Sequence, residues 1–267
     1  MPSNARTPYV TSPAAPPAAA PSRRTLLRTA LAGTAAAGSV LGLGSASPAA
    51  AAPSGGPAEA AEVEAAEAAG GSRPATPGEA LRRLTAGNRR WAAYCQRHPD
   101  ESPSVRVRVA REQHPFAIVL GCVDSRVPPE LVFDQGLGDL LTVRAAGEVL
   151  DEAVLGSVAY GVLELDVPLV VVLGHESCGA VGAAVRADET GAQLPAHIQY
   201  LAEQIRPSID HGLQGAARIA ATIDAHARST RARLAAEPDI ARVIAAGRLA
   251  VVAARYDLRD QKVRMLR

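Results

Sequence analysis

Two cysteines and one histidine lie where apolar stretches of the sequence end. Cys122 closes the stretch 116–122, His175 closes the stretch 169–175, and Cys178 follows three residues later. Two thiolates and one imidazole form a ligand set that suits Zn²⁺ and leaves a fourth tetrahedral position open. The alternatives are inert core thiols with a structural histidine, or a Cys122–Cys178 disulfide in an oxidising compartment. Three ligands at two matching positions favour zinc.

Asp124 and Arg126 follow Cys122 closely enough to act in the same site. Side chains two residues apart at the end of a strand can pair a carboxylate with a guanidinium in a bidentate arrangement. Such a pair keeps the aspartate ionised, so that it can accept a proton or orient a metal-bound water. The alternatives are direct ligation of zinc by Asp124 and a salt bridge with a purely structural role.

Four apolar stretches of strand length alternate with longer stretches of helical pattern. Strands are predicted at 116–122, 140–144, 169–175 and 248–254. Helices are predicted at 79–96, 105–112, 151–165, 179–187 and 213–236. Strands that are apolar on both faces indicate a mostly parallel sheet covered by helices on both sides, and hence an α/β fold. Ligands bind beyond the carboxyl ends of such strands, which is where Cys122 and His175 lie.

Composition excludes several classes of protein. The 267 residues carry 28 basic and 27 acidic side chains, a formal net charge of +1. This balance argues against a nucleic-acid partner, which usually requires a basic excess. Three cysteines are too few, and odd in number, for a disulfide scaffold. Cys95 falls on the apolar side of the predicted first helix, so we expect it to be a core thiol.

Residues 1–52 contain the three parts of an export signal in the correct order. The paired Arg23 and Arg24 precede an apolar stretch at 29–43, and small residues at 46–52 offer Ala-x-Ala cleavage sites. This order predicts a twin-arginine (Tat) signal peptide and an exported protein, secreted or held in the cell envelope. The alternative is a chance pair of arginines. The apolar stretch is too short and too rich in alanine for a stable membrane span.

A linker and one folded domain follow the signal. Residues 53–75 are rich in small residues and glutamate and lack an apolar stripe, so they are predicted to be a disordered linker. Thr76, Pro77 and Glu79 together form a helix-start signature. We therefore predict a domain over residues 76–267 that opens with a helix.

Several motifs of this domain are similar to those of β-class carbonic anhydrases. The first begins at Cys122 (CVDSRVPPE), the second at Phe133 (FDQGLGDL) and the third at Val170 (VVVLGHESCG). The stretch ALRRLTAGNRRW, which begins at Ala80, resembles the N-terminal helix of the family. The resemblance extends from Thr76 to the C-terminus. It implies a mostly parallel central β-sheet flanked by helices, with an N-terminal helical arm.

The resemblance also implies the cofactor and the catalytic residues. It implies one Zn²⁺ per subunit, bound by Cys122, His175 and Cys178, with Asp124 and Arg126 as the catalytic dyad. In the closed state of the family, Asp124 becomes a fourth zinc ligand. We favour the open state, in which Asp124 pairs with Arg126, because a charge-assisted pair is stronger than a neutral hydrogen bond.

The implied substrate pocket draws on residues spread along the chain. The substrate-binding residues implied by the resemblance are Gln113, Gly179, Tyr160, Leu141 and Ala146. Leu141 and Ala146 stand where many relatives have Phe and Val, and Glu148 replaces a frequent Asn. These departures affect the expected shape of the pocket and leave the metal ligands unchanged.

The activity implied by the resemblance is reversible hydration of carbon dioxide to bicarbonate and a proton, by hydroxide that zinc generates from water. One alternative is hydrolysis of carbonyl sulfide or carbon disulfide at the same site, and another is a non-catalytic, zinc-stabilised relative. Asp124, Arg126 and Gln113 argue against the second, because a structural zinc site has no use for them. The resemblance further implies a homodimer or tetramer, in which the apolar side of the first helix, with Trp91, contacts a partner.

Overall fold

Five β-strands organise the part of the chain that the computed structural model describes, residues 73–267. They lie at Ala117–Gly121 (β1), Leu140–Arg144 (β2), Leu169–His175 (β3), Ala250–Tyr256 (β4) and Val263–Leu266 (β5). The sheet has the order β2-β1-β3-β4-β5. The first four strands are parallel, and β5 pairs antiparallel with β4. The predicted signal peptide, 1–52, and residues 53–72 of the predicted linker lie outside the described residues.

Helices cover both faces of the sheet, which confirms the predicted α/β fold. The α-helices are Pro77–Ala92 (α1), Pro103–Val109 (α2), Pro129–Val132 (α3), Glu152–Leu163 (α4), Gly179–Thr190 (α5), Ala196–Ile205 (α6), Gly215–Ala236 (α7) and Pro238–Ala245 (α8). Two 3₁₀ turns lie at Ala146–Glu148 and Arg206–Ser208. In the described range, no helix is both long and apolar enough to cross a membrane.

The central strands β1 and β3 are buried along their whole length because apolar side chains point to both faces. On one face, Ile118 and Val170 pack against side chains of α4, α7 and α8. On the other face, Val119 and Val171 pack against side chains of α1 and α3. Burial of each such side chain contributes about 1.5–3 kcal/mol. The two layers fix the strand ends, on which the site depends.

The sequence did not predict β5, α3, α6 or α8. These elements are short, and β5, at the edge of the sheet, has two exposed residues between two half-buried ones, so it lacks the continuous apolar run that identified the other strands. The first helix ends at Ala92 and not at residue 96. Cys95 therefore lies beyond it and is exposed, so the prediction of a core thiol was wrong.

The start of the domain is fixed by hydrogen bonds. Thr76 and Glu79 form the predicted capping box at the first turn of α1. Before it, the Arg73 guanidinium donates to the carbonyl oxygens of Pro115, at 2.8 Å, and Leu165, at 3.1 Å. Contacts to the domain thus begin three residues before the predicted boundary, and residues 73–75 are not part of a free linker.

Helix α1 packs its apolar side onto its own sheet. Leu84 is buried there with Phe116 and Val132. The indole Nε1 of Trp91 donates to the Tyr256 hydroxyl at 3.0 Å. The indole nitrogen of Trp91 therefore has its partner within the chain, and the expected contact of this helix with a second subunit stays a prediction.

Candidate metal centre

Cys122, His175 and Cys178 meet at the carboxyl ends of the neighbouring strands β1 and β3. Cys122 directly follows β1, His175 is the last residue of β3, and Cys178 precedes α5. Their ligand atoms lie within 4.8 Å of one another, all three residues are buried, and the two sulfur atoms are 4.0 Å apart. The parallel pairing of β1 with β3 thus brings together the ligands that the sequence predicted.

The imidazole of His175 is oriented for ligation through Nε2. Its Nδ1 lies 2.9 Å from the carbonyl oxygen of Glu176. A carbonyl oxygen only accepts, so Nδ1 carries the hydrogen and Nε2 presents a lone pair. Nε2 is buried and makes no hydrogen bond to any residue in 73–267. A buried polar atom without a partner is unfavourable, and a metal ion beside the two sulfur atoms would satisfy it.

The two thiols influence each other strongly. The Cys178 thiol hydrogen-bonds to Cys122 and lowers the pKa of Cys122 to about 4. The same interaction, together with burial, raises the pKa of Cys178. A further donor, the backbone N–H of Gly147, points at the Cys122 sulfur from 3.3 Å. Both sulfurs can be thiolates together only when a cation compensates their charge, so this ligand set fits a divalent metal.

Asp124 and Arg126 form a bidentate ion pair beside the three ligands. The Arg126 Nε donates to Oδ1 of Asp124 at 2.9 Å, and Nη2 donates to Oδ2 at 2.7 Å. This pairing holds the pKa of Asp124 well below its usual range. Oδ2 lies 3.9 Å from Nε2 of His175. Asp124 is therefore a charged acceptor at the edge of the cluster, paired with arginine as in the open state.

Arg144, whose role no motif of the sequence indicated, anchors the loop that carries these residues. It is the last residue of β2, and its guanidinium donates to the carbonyl oxygens of Cys122, at 2.8 Å, and Asp124, at 2.7 Å. An arginine at the end of an apolar strand carries no local signal of this role, because its acceptors are about twenty residues earlier in the chain.

Glu148 is fully buried near the cluster. Its oxygens make no hydrogen bond within residues 73–267, and Oε1 would lie 3.3 Å from a Cβ added to Gly174. Burial raises the pKa of Glu148 well above its usual range, and the nearby Cys122 raises it further. The uncharged acid is therefore favoured here.

The predicted substrate residues do not all reach the metal ligands. Leu141 and Tyr160 line an open groove of about 620 Å³ between β2 and α4, and Arg144 lies at the same groove. Gln113 is exposed in the loop before β1. Within the described range, no hydrogen bond or ion pair joins Gln113 or Tyr160 to the three ligands.

The other two predicted substrate residues are each next in sequence to a residue of the cluster or to a donor to it. Gly179 directly follows the ligand Cys178 and is the first residue of α5. Ala146 begins the 3₁₀ turn that contains Gly147, the donor to the Cys122 sulfur. Of the predicted pocket residues, Gly179 and Ala146 therefore lie near the metal centre, and Leu141 and Tyr160 lie at the groove.

The buried Cys-His-Cys cluster beside an Asp-Arg pair, at the ends of parallel strands, is a site in an α/β fold that can hold a metal ion. Comparison with known proteins identifies the family. The sequence model of the family described as carbonic anhydrase matches residues 117–263. Carbonic anhydrase 2 of Mycobacterium tuberculosis is 44% identical over 186 residues, which cover 69% of this chain and 90% of that protein. The carbonic anhydrase of Mycolicibacterium smegmatis is 42% identical over 193 residues, which cover 72% and 94%.

Solved structures agree on the fold. A β-carbonic anhydrase of Aspergillus fumigatus matches with a TM-score of 0.58 at 24% identity, covering 68% of this chain and 88% of that one. A chain of the tetrameric β-carbonic anhydrases of Sordaria macrospora matches with a TM-score of 0.57 at 21% identity, covering 67% and 92%. The chain belongs to the carbonic anhydrase family and has the β-class fold. It is an enzyme of carbon dioxide hydration.

Proposed function

We propose that the metal of this carbonic anhydrase is zinc, one ion per subunit, bound by Cys122, His175 and Cys178. The observation that carries the proposal is the buried cluster itself, in which two sulfur atoms and an unpartnered imidazole nitrogen lie within 4.8 Å of one another. Sulfur and imidazole ligands select zinc over magnesium or calcium, which prefer oxygen. Three protein ligands leave one position for water or substrate, as in catalytic zinc sites.

Zinc, when bound, supplies a Lewis acid that lowers the pKa of a coordinated water towards 7. The chain contributes the orientation of the reacting groups. Because Arg126 keeps Asp124 ionised, the carboxylate only accepts hydrogen bonds, so it can hold the O–H of the reacting oxygen and leave a lone pair facing carbon dioxide. The bond from Arg126 Nη2 to the Ser177 carbonyl, at 3.4 Å, helps hold the pair in place.

Substrate binding is assigned to the residues named from the sequence. The backbone N–H of Gly179 lies in the first turn of α5 and has no acceptor within the helix, so it is available to a bicarbonate oxygen. The Gln113 amide is the second donor. Leu141, Ala146 and Tyr160 provide the apolar wall, of which Leu141 and Tyr160 line the groove.

We further propose that a second copy of the chain covers this groove and forms a homodimer or part of a tetramer. Strand β2 has only β1 as a neighbour, so one of its edges has unpaired backbone groups within the described chain. Tyr160, which lines the groove, is 49% exposed, and Leu131 and Leu137, which precede β2 in the chain, are 45% and 53% exposed. The relatives from Sordaria macrospora are tetrameric. A concentration-independent monomer in analytical ultracentrifugation would contradict this proposal.

Stopped-flow measurement of carbon dioxide hydration, with metal analysis of the same sample, tests the zinc mechanism. We expect one zinc per chain and hydration that is lost on chelation and restored by Zn²⁺. Carbonyl sulfide and carbon disulfide, tested in parallel, should be poorer substrates. Full zinc occupancy without hydration between pH 7 and pH 9 would contradict the proposal.

We also propose that the enzyme is exported by the Tat route and acts in the cell envelope or outside the cell. The support is the order of Arg23-Arg24, the apolar stretch and the small residues that follow. Replacing Arg23 and Arg24 by lysine should trap the enzyme inside the cell. Arg28→Lys is the matched control, because it leaves the pair intact. Normal export of the double variant would contradict the proposal.

A further inference from the structure

His226 is a buried histidine outside the metal ligand set. It lies in α7, is 1% exposed, and its Nε2 is 2.9 Å from the carbonyl oxygen of Gly147. Because a carbonyl oxygen only accepts, Nε2 carries the hydrogen and donates. Burial lowers the pKa of His226 to about 4, so the ring is neutral near pH 7. The imidazole thus gives one directed hydrogen bond to the backbone.

The acceptor of this bond belongs to an unusual turn. Gly147 has φ 66°, and the next residue, Glu148, has φ 42°. The left-handed region suits glycine, whereas a residue with a Cβ occupies it at a cost of order 1–3 kcal/mol and needs support from its surroundings. An added Cβ on Gly147 would lie 3.1 Å from both Ala180 and Ile205. The turn is therefore tightly packed and specific in conformation.

The same turn supplies a hydrogen bond to a metal ligand. The backbone N–H of Gly147 donates to the Cys122 sulfur at 3.3 Å. An N–H directed at a thiolate fixes the position of the sulfur and reduces its negative charge. The carbonyl oxygen of Gly147 thus accepts a hydrogen bond from His226 of α7, and the N–H of the same residue donates one to the Cys122 sulfur.

We propose that His226 is a positioning residue for the metal centre: its bond to the Gly147 carbonyl holds the 146–148 turn so that the Gly147 N–H stays on the Cys122 sulfur. The inference rests on the proposed binding of zinc at this cluster. Loss of the His226 bond should free the turn to leave its left-handed conformation. The Cys122 sulfur would then lose its donor, and the site would lose part of its affinity for metal.

Metal binding by three variants tests this role. His226→Leu removes the donor, His226→Gln restores an N–H of similar reach, and Thr230→Val is the control. Thr230 lies one turn further along α7, is also buried, and its hydroxyl makes no hydrogen bond among the described residues. Zinc affinity is measured by competition with a chelator, and the environment of sulfur by the thiolate-to-metal absorption of the Co²⁺-substituted protein.

We expect His226→Leu to bind zinc about 10-fold more weakly and to shift the Co²⁺ absorption. This is the lower end of the range for the loss of a direct hydrogen-bond partner of a metal ligand, because His226 acts on Cys122 through the Gly147 turn. His226→Gln should recover most of the affinity, and Thr230→Val should change neither readout. If His226→Leu does not fold, His226→Asn, whose amide is too short to reach the carbonyl, carries the same expectation.

Wild-type affinity and absorption in a folded variant without the donor would overturn the inference. A loss in Thr230→Val equal to that in His226→Leu would also overturn it, because the effect would then be one of packing. Failure of the wild-type chain to bind zinc would overturn both the inference and the proposed metal. Normal zinc binding without hydration would contradict the proposed function and leave the role of His226 supported.

Discussion

The metal centre and the groove beside β2 differ in how much of each one chain builds. At the metal centre, three buried ligand atoms lie within 4.8 Å of one another, and hydrogen bonds from the same chain hold the Cys122 sulfur and the His175 ring. Along the groove, Tyr160 is 49% exposed, and one edge of β2 has no partner strand among residues 73–267. Metal ligation requires ligand atoms in fixed positions, and the ends of β1 and β3 provide them. The apolar wall of the substrate pocket, in contrast, depends on the second copy of the chain that is proposed to cover the edge of β2.

Because of this difference, metal binding and turnover should require different parts of the molecule. The metal ligands lie at the ends of β1 and β3 and directly before α5, and the residues that support them belong to the same chain, so a single subunit should be sufficient for metal binding. Turnover needs the dyad and a shielded pocket as well, so it should depend on the second copy. Variants at the two regions are therefore expected to affect metal content and turnover separately.

Removal of a metal ligand should have the largest effect. Cys178→Ser replaces a thiolate by a hydroxyl that does not ionise near pH 7, so we expect zinc to be lost and carbon dioxide hydration to fall more than about 100-fold, beyond the effect of changes further from the metal. The control is Cys95→Ser, because Cys95 is exposed and outside the cluster. Metal analysis and stopped-flow assays check both. Unchanged zinc content in Cys178→Ser would remove Cys178 from the site.

The dyad should matter for turnover and not for metal content. Asp124→Asn keeps the size of the side chain but removes the charged acceptor, so we expect hydration to fall by about 10²-fold or more, within the range for a lost proton-transfer group. Zinc content should stay at the wild-type level. Asp239→Asn is the control, because Asp239 pairs with Arg242 at an exposed position of α8. Full hydration by Asp124→Asn would show that the pair is only structural.

A substitution in the groove should change both the oligomeric state and the rate of carbon dioxide hydration. Tyr160→Arg places a charge where the second copy is proposed to pack, so we expect a monomer that keeps its zinc and hydrates carbon dioxide roughly 10- to 100-fold more slowly, since small displacements of substrate are costly. Tyr200→Arg is the control, an exposed tyrosine of α6 outside the groove. Ultracentrifugation, metal analysis and stopped-flow assays are made on one sample. A fully active monomer would contradict the need for a second copy.

The smallest expected effect is on stability. The pKa of Glu148 is raised in the folded protein by burial, so the folded state holds a proton that the unfolded state releases above about pH 4.5. Stability should therefore fall as pH rises through the folded pKa. The side chain in Glu148→Gln does not titrate, so the stability of this variant should not fall with pH in this way. Its Tm should match that of the wild type near pH 4 and exceed it by a few degrees at pH 9. A shift of a few degrees corresponds to about 1 kcal/mol in a domain of this size. A constant difference across pH would contradict a buried, neutral acid.

The sequence predicts those parts of the fold and site that have a local signal. Continuous apolar runs identified the first four strands, and the ligands were recognisable because they stand at the ends of two such runs. The edge strand β5 and the helices α6 and α8 lack a comparable run. Cys95 was misplaced because its helix ends at Ala92, and boundaries depend on local hydrogen bonds.

The residues that support the metal centre could not be predicted from the sequence, for a different reason. Arg144 and His226 act through bonds to backbone atoms that are distant in sequence, at Cys122 and Gly147. Side-chain identity alone does not reveal such an acceptor, because only the fold determines which carbonyl lies within reach. Trp91 is a further example, since its partner Tyr256 lies in the last parallel strand.

X-ray absorption at the zinc edge of the purified protein reports the atoms bound to the metal and so shows directly whether the Cys-His-Cys cluster holds zinc. We expect two sulfur ligands at about 2.3 Å, one imidazole nitrogen at about 2.0–2.1 Å, and a fourth light atom. Cys122, His175 and Cys178 supply the first three. A shell of nitrogen and oxygen alone, or a sample without zinc in which Cys122 and Cys178 form a disulfide, would contradict it.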